Sequence, residues 1–264
     1  TCVALLAGGG RFLSSAQAFL EGCKKYKICY NSDMLHHKHN GDCMKNRKYA
    51  FTLAEVLVTL GIIGVVSAMT VPSLMQNYQR QSYIAQLHKF YNELSQALVQ
   101  YQTSANAVNL KEAGLNSNDN VAVFFKTYFK VIKECDTMDD CFAPAYLSLN
   151  SGKKLEGTYD KNMKSYVLAS GAAIRPYYTG QSNKIINLGL DTNGPKGPNI
   201  VGRDFFFLYV YNNGLIDDTI GSDTSLNAPL STEHREKMFT NMCLNDSDSG
   251  CFGKILNDNW QMNY

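Results

Sequence analysis

The sequence has little of what catalysis requires. Of its five histidines, only His88 and His234 lie beyond residue 50. Neither belongs to a recognisable set of nucleophile, base and orienting acid. A phosphate-binding glycine loop and a paired Cys/His zinc motif are also absent from the sequence. The residues therefore favour a non-enzymatic, structural protein.

An excess of charge of one sign is also lacking. The chain has 25 Lys and Arg against 23 Asp and Glu, a formal net charge of +2, and its clusters of charged residues are short. Nucleic-acid binding requires a concentrated basic surface. We therefore expect no nucleic-acid partner.

A long apolar run, Phe51 to Met75, is the main feature that the sequence does contain. As a helix it would reach about 37 Å at about 1.5 Å per residue, enough to cross a hydrocarbon core about 30 Å thick. Glu55 is the one charged residue within it. A carboxylate in the bilayer costs on the order of 2.5 to 3.5 kcal/mol on insertion scales, so Glu55 is a functional candidate that needs a partner.

The residues before this run form a short basic leader opened by Met44. The stretch KYAFTLAEVLVTLGIIGVVSAMTVPSL resembles the prepilin N-terminus of type IV pilins and type II secretion pseudopilins. The resemblance implies that a prepilin peptidase cuts between Ala50 and Phe51, that the new amine of Phe51 is methylated, and that Glu55 acts in assembly. The family usually has Gly where Ala50 stands.

Two other interpretations of the run remain open. An ordinary secretory signal peptide would be cut after Val66-Ser67-Ala68, so that the chain would begin at Met69. A simple membrane anchor without an assembly role is the other.

Residues 1–43 precede the leader, residues 44–50. One interpretation is that translation starts at Met44 and that residues 1–43 are an upstream extension that is not made. The alternative is a reduced cytoplasmic segment. Its cysteines and histidines have spacings that match none of the usual zinc patterns.

Positive charge before the run sets the expected topology. Lys45, Arg47 and Lys48 place the N-terminus in the cytoplasm, so a single-pass chain would have everything after Met75 outside. The resemblance implies a bacterial inner-membrane protein that later enters an extracytoplasmic fibre. It implies as partners other pilin or pseudopilin subunits, the prepilin peptidase, an inner-membrane assembly platform and membrane lipid.

Four cysteines fall in the exported part. Cys135 and Cys141, then Cys243 and Cys251, are two locally spaced pairs. An oxidising compartment favours disulfides, and we expect the two local pairings among the three that four cysteines allow. The alternative is reduced structural thiols.

The expected fold is α+β. Apolar residues recur with helical spacing from Tyr83 to Tyr101, which predicts that the transmembrane helix (51–75) continues as an amphipathic helix (76–105). The alternative is two helices broken at Pro72. The helix would pack on a small antiparallel sheet in a head domain, residues 106–264, which is the pilin-like architecture.

Within the head, a second helix is predicted over Val121 to Lys133. Strands are predicted over Ser165 to Ser170, Lys184 to Leu190 and Asp204 to Tyr211. Asn213-Gly214 predicts a hairpin with a type I′ turn, which has positive φ at both central residues.

The segment from Leu190 to Asp204 is similar to a motif in the C-terminal region of many pseudopilins. Oxygen atoms of Asp191, Asn193 and Asp204 suit calcium, and no other cofactor is expected. The alternative, which we favour, is a tight turn in which Asn and Asp accept backbone N–H groups.

The function predicted from these features is that of a structural pseudopilin of a type II-like secretion system. A type IV pilin for DNA uptake or adhesion is one alternative. A monomeric, membrane-anchored envelope protein is the other.

Overall fold

The computed structural model describes residues 52–155 and 163–264. Residues 1–43, the leader and the residues Ala50 and Phe51 lie outside them. The helices are α1 (Leu53–Ser104), α2 (Asn118–Tyr128), α3 (Thr232–Asn241) and α4 (Phe252–Asn257). The strands are β1 (Val131–Cys135), β2 (Ser165–Leu168), β3 (Ala173–Gln181), β4 (Lys184–Asp191), β5 (Phe205–Tyr211) and β6 (Ile216–Asp217).

Helix α1 is one continuous helix that passes through Pro72, so the alternative of two helices is wrong. Only its second half is covered by the head domain, and the buried residues follow the predicted apolar stripe. They are Tyr83, Ile84, Leu87, Phe90, Leu94, Ala97 and Leu98.

The sheet is a six-stranded antiparallel meander in which each strand pairs with the next along the chain, in the order β1 to β6. Strand β5 is buried along its whole length. The stripe of α1, the apolar face of α2 and the sheet share one hydrophobic core. The predicted α+β architecture is thereby confirmed.

Helix α2 ends earlier than predicted. It stops at Tyr128, because Phe129 is already extended, with φ of −118° and ψ of 144°. Val131 and Ile132, which were predicted to be helical, lie in β1, where Val131 pairs with Leu168 of β2. Two adjacent β-branched residues fit a strand better than the end of a helix.

The hairpin between β5 and β6 forms at Asn213-Gly214, with Val210 paired to Ile216. The predicted turn type is wrong, because only Gly214 has a positive φ, of 85°. The N–H of Gly214 donates to the carbonyl of Tyr211 at 2.9 Å, which leaves a single left-handed residue before β6. A turn followed by one left-handed glycine is a common alternative to type I′.

Candidate functional site

The first half of α1, residues 53–75, has no cover from the head domain. Every residue from 52 to 79 is exposed. Of the described helices, α1 alone is long and apolar enough to cross a membrane, and none of its most apolar window is buried. The large apolar side chains that it exposes are Leu53, Val56, Leu57, Val58, Leu60, Ile62, Ile63, Val65, Val66, Met69, Val71, Leu74 and Met75. We call this segment the bare half of α1.

Such a surface is stable only in apolar surroundings. Burying one side chain of the size of Val, Leu or Ile contributes about 1.5 to 3 kcal/mol. The bare half therefore requires apolar surroundings, such as a bilayer or the apolar surface of another protein.

Of the residues predicted to act in processing and assembly, Glu55 is the one that lies within the described part of the chain. It lies in the first turn of α1 and is exposed. A carboxylate at this position is favoured by the partial positive charge of the helix N-terminus. The predicted processing residues, Ala50 and Phe51, lie outside the described residues, so their roles stay predictions.

The four cysteines of the head domain form the two local disulfides. Cys135 pairs with Cys141, and Cys243 with Cys251. All four side chains are buried. The first bridge closes the loop that follows β1, and the second links the residues after α3 to the start of α4.

The predicted calcium ligands take part in a network of hydrogen bonds. Asp204 accepts the backbone N–H groups of Asn199 and Ile200, each at 2.8 Å. Asp191 accepts the hydroxyl of Tyr146 and the N–H of Asn193. Burial raises the pKa of Asp191 to about 8, which favours its neutral form at pH 7. These contacts match the turn alternative.

Asn193 donates its amide to the carbonyls of Lys196 and Gly197. Its Oδ1 has no hydrogen-bond partner in the described part of the chain. Within residues 52–155 and 163–264, no group of three His, Cys, Asp or Glu side chains could hold a metal ion. Calcium binding at Asp191, Asn193 and Asp204 stays a prediction.

A buried ion pair in the C-terminal region was missed by sequence reasoning. Arg235 of α3 makes two contacts with Asp217 of β6, from Nε to Oδ1 at 2.8 Å and from Nη2 to Oδ2 at 2.6 Å. The neighbouring Asp218 accepts the N–H groups of Gly250 and Gly253, and burial raises its pKa to about 6. The partners are far apart in sequence, so no local pattern reveals them.

Comparison with known families locates one match. Residues 45–71 match the prokaryotic N-terminal methylation motif, which is the signature of type IV pilins and pseudopilins. No curated protein and no solved structure matches the chain. The match covers the leader except Met44 and most of the bare half of α1, including Ala50, Phe51 and Glu55.

Proposed function

We propose that this protein is a pseudopilin, a structural subunit that assembles from the inner membrane into a pilus or pseudopilus of a type II-like secretion system. The main support for this proposal is that the methylation motif lies at the start of a helix whose first half is apolar and exposed, while its second half packs against a folded head domain. A soluble monomer has no use for such a helix. A fibre subunit needs it twice, first as an anchor and then as the packed centre of the fibre.

Processing would occur at the cytoplasmic face. A prepilin peptidase would cut between Ala50 and Phe51 and leave a free amine, which is then methylated. The head would already lie outside, where an oxidising compartment permits its two disulfides.

Assembly would then depend on Glu55. In the fibre, the carboxylate of one subunit would pair with the Phe51 amine of a neighbour, in an apolar core built from the bare halves of α1. Removing one partner of a buried pair costs about 3 to 5 kcal/mol, because the other charge stays buried without compensation. The pair would therefore set the axial register of each incoming subunit.

The test is Glu55→Ala in a host with the matching assembly machinery. We expect the variant to insert into the membrane but to form no fibres. Glu93→Ala is the matched control, because Glu93 is an exposed carboxylate on the same helix and its ion pair among the described residues is with Lys89, at 3.8 Å. Normal fibre formation by Glu55→Ala would refute the assembly role.

Crosslinking in membranes separates the proposal from its alternatives. A subunit of a fibre gives a ladder of crosslinked species, whereas a solitary anchored envelope protein gives none. A DNA-uptake or adhesion pilin would also give a ladder, but its loss would abolish transformation or attachment and leave secretion intact.

A further inference from the structure

A cleft lies between α1 and the C-terminal segment, next to the bare half of α1. Its volume is about 590 Å³, which is within the range of small-molecule sites. One wall is the helix face that begins at Asn77, and the other is the chain after α4. Residues that could contact a ligand there include Asn77, Arg80, Gln81, His88, Trp260 and Asn263.

The lining carries positive charge without an opposing carboxylate. Arg80 contributes a guanidinium, and no ion pair joins it to any carboxylate in the described parts of the chain. The carboxylate of Asp258, which accepts the Asn263 amide at 3.4 Å, is already paired with Lys254 at 3.0 Å. The cleft therefore suits an anion that accepts hydrogen bonds from a guanidinium and from side-chain amides.

The position of the cleft along α1 indicates where that anion comes from. The interval from Met75 to Arg80 is about 7.5 Å along the helix axis, at about 1.5 Å per residue. The headgroup layer adds roughly 5 to 7.5 Å on each side of the hydrocarbon core. With Met75 at the outer edge of the hydrocarbon core, Arg80 lies at the outer limit of the headgroup layer, from which its long side chain can reach the lipid phosphates.

The aromatic wall of the cleft is held in an unusual conformation. Trp260 has a φ of 61° and follows Asn259 at 52°, both in the left-handed region, which is rare for a bulky side chain. Its ring stacks on His88, with the ring centroids 4.0 Å apart. The rings of Tyr91 and Phe252 lie 5.0 and 6.1 Å from it on the side of the core. Tryptophan is enriched at membrane–water interfaces, where its ring lies at the level of the headgroups.

We propose that this cleft binds the phosphodiester headgroup of an anionic phospholipid in the outer leaflet of the membrane that α1 crosses. Arg80 pairs with the phosphate, the amides of Asn77, Gln81 and Asn263 donate hydrogen bonds, and Trp260 packs on the glycerol region. The bound lipid fixes the head against the membrane surface before assembly. The inference rests on membrane insertion, which is part of the proposed function.

Trp260 is the single tryptophan of the chain and so reports on the cleft directly. The full chain is incorporated into lipid nanodiscs that contain a trace of anionic lipid with a dansyl-labelled headgroup, and energy transfer from Trp260 to dansyl is measured. Unlabelled phosphatidylglycerol should displace the probe several-fold better than phosphatidylcholine. Arg80→Gln should reduce the preference for phosphatidylglycerol about fivefold, because this is the gain in affinity that one arginine contributes near an anionic membrane surface.

Lys89→Gln is the matched control, because it removes the same charge from the same helix outside the cleft, and it should keep the preference. Arg80→Lys should retain most of it. Equal displacement by the two lipids, or an unchanged preference in Arg80→Gln, would overturn the inference. Displacement by inorganic phosphate as effective as that by phosphatidylglycerol would assign the cleft to free phosphate and overturn the lipid source.

Incorporation is measured first, by co-elution of the chain with the nanodiscs. A wild-type chain that does not co-elute refutes membrane anchoring, and the inference with it. A chain that co-elutes but shows no headgroup preference refutes the lipid site alone.

Discussion

Replacing Asp217 with Asn should destabilise the head domain by about 3 kcal/mol, at the lower end of the range for breaking a buried ion pair. Asp217 is 1% exposed and Arg235 16%, and the two side chains meet through two hydrogen bonds. Oδ2 of Asp217 also accepts the N–H of Leu230 at 2.8 Å. The variant would leave the Arg235 guanidinium largely buried without its hydrogen-bonded counter-charge, with Asp218 as the remaining carboxylate that acts on it.

The effect of burial can be checked against an exposed ion pair with a similar N···O distance. Lys126 and Glu134 approach to 2.7 Å, but their side chains are 45% and 38% exposed. Solvent screening makes such pairs weak. We therefore expect Lys126→Gln to leave stability nearly unchanged.

The assay is denaturation of the purified chain in mild detergent, followed by the fluorescence of Trp260, whose ring lies 6.1 Å from that of Phe252. The double variant Asp217→Asn with Arg235→Gln should cost less than the sum of the single changes, since neither charge is left alone. Equal effects of Asp217→Asn and Lys126→Gln would refute the reasoning that burial decides the strength of the pair.

Two further predictions concern the head domain. Because the folded-state pKa of Asp191 is about 8 against 3.8 as the ordinary value, the stability it contributes is fully present below pH 4 and is lost as pH rises to about 8. Asp191→Asn should flatten this decline, which in the wild type amounts to at most about 1.4 kcal/mol per pH unit. The measurement is thermal unfolding between pH 5 and 8 with a chelator present. The same dependence of stability on pH in variant and wild type would contradict the prediction. Replacing Cys243 and Cys251 together with Ser should cost about 2.5 kcal/mol in guanidinium denaturation, from the loop entropy that the bridge removes. An unchanged midpoint would show that this bridge does not stabilise the fold.

The features that could be predicted from the sequence are those set by local patterns. The stripe of α1 follows from helical periodicity alone, since Leu87, Leu94 and Leu98 recur on one face and are all fully buried. The closely spaced cysteines pair within their own loops, as short spacing favours.

Features that depend on distant partners could not be predicted. Strand β3 was missed because Pro176 interrupts its pattern, and Pro is usually excluded from strand interiors. Within the described residues β2 pairs with Ala173 and Ile174 of β3, so Pro176 lies beyond this ladder and pairs with Leu188 of β4 alone. Helix α3 was also missed, but it is a different case, because a local signal was available. Ser231 is a favourable N-cap residue, and in the structure it accepts the N–H of His234.

The Asp217–Arg235 pair and the cleft beside Arg80 also depend on distant partners and could not be predicted. Each joins residues from elements that meet only after the sheet and the C-terminal helices have packed. The methylation motif identifies the start of α1, but it carries no information on what the head domain contacts.

The most direct test of the central proposal is the N-terminal residue and intact mass of the protein purified from membranes of a host with an active prepilin peptidase. The account predicts a chain that begins at N-methylated Phe51. A chain that begins at Met69, or one that still carries Ala50 and the leader, would contradict it.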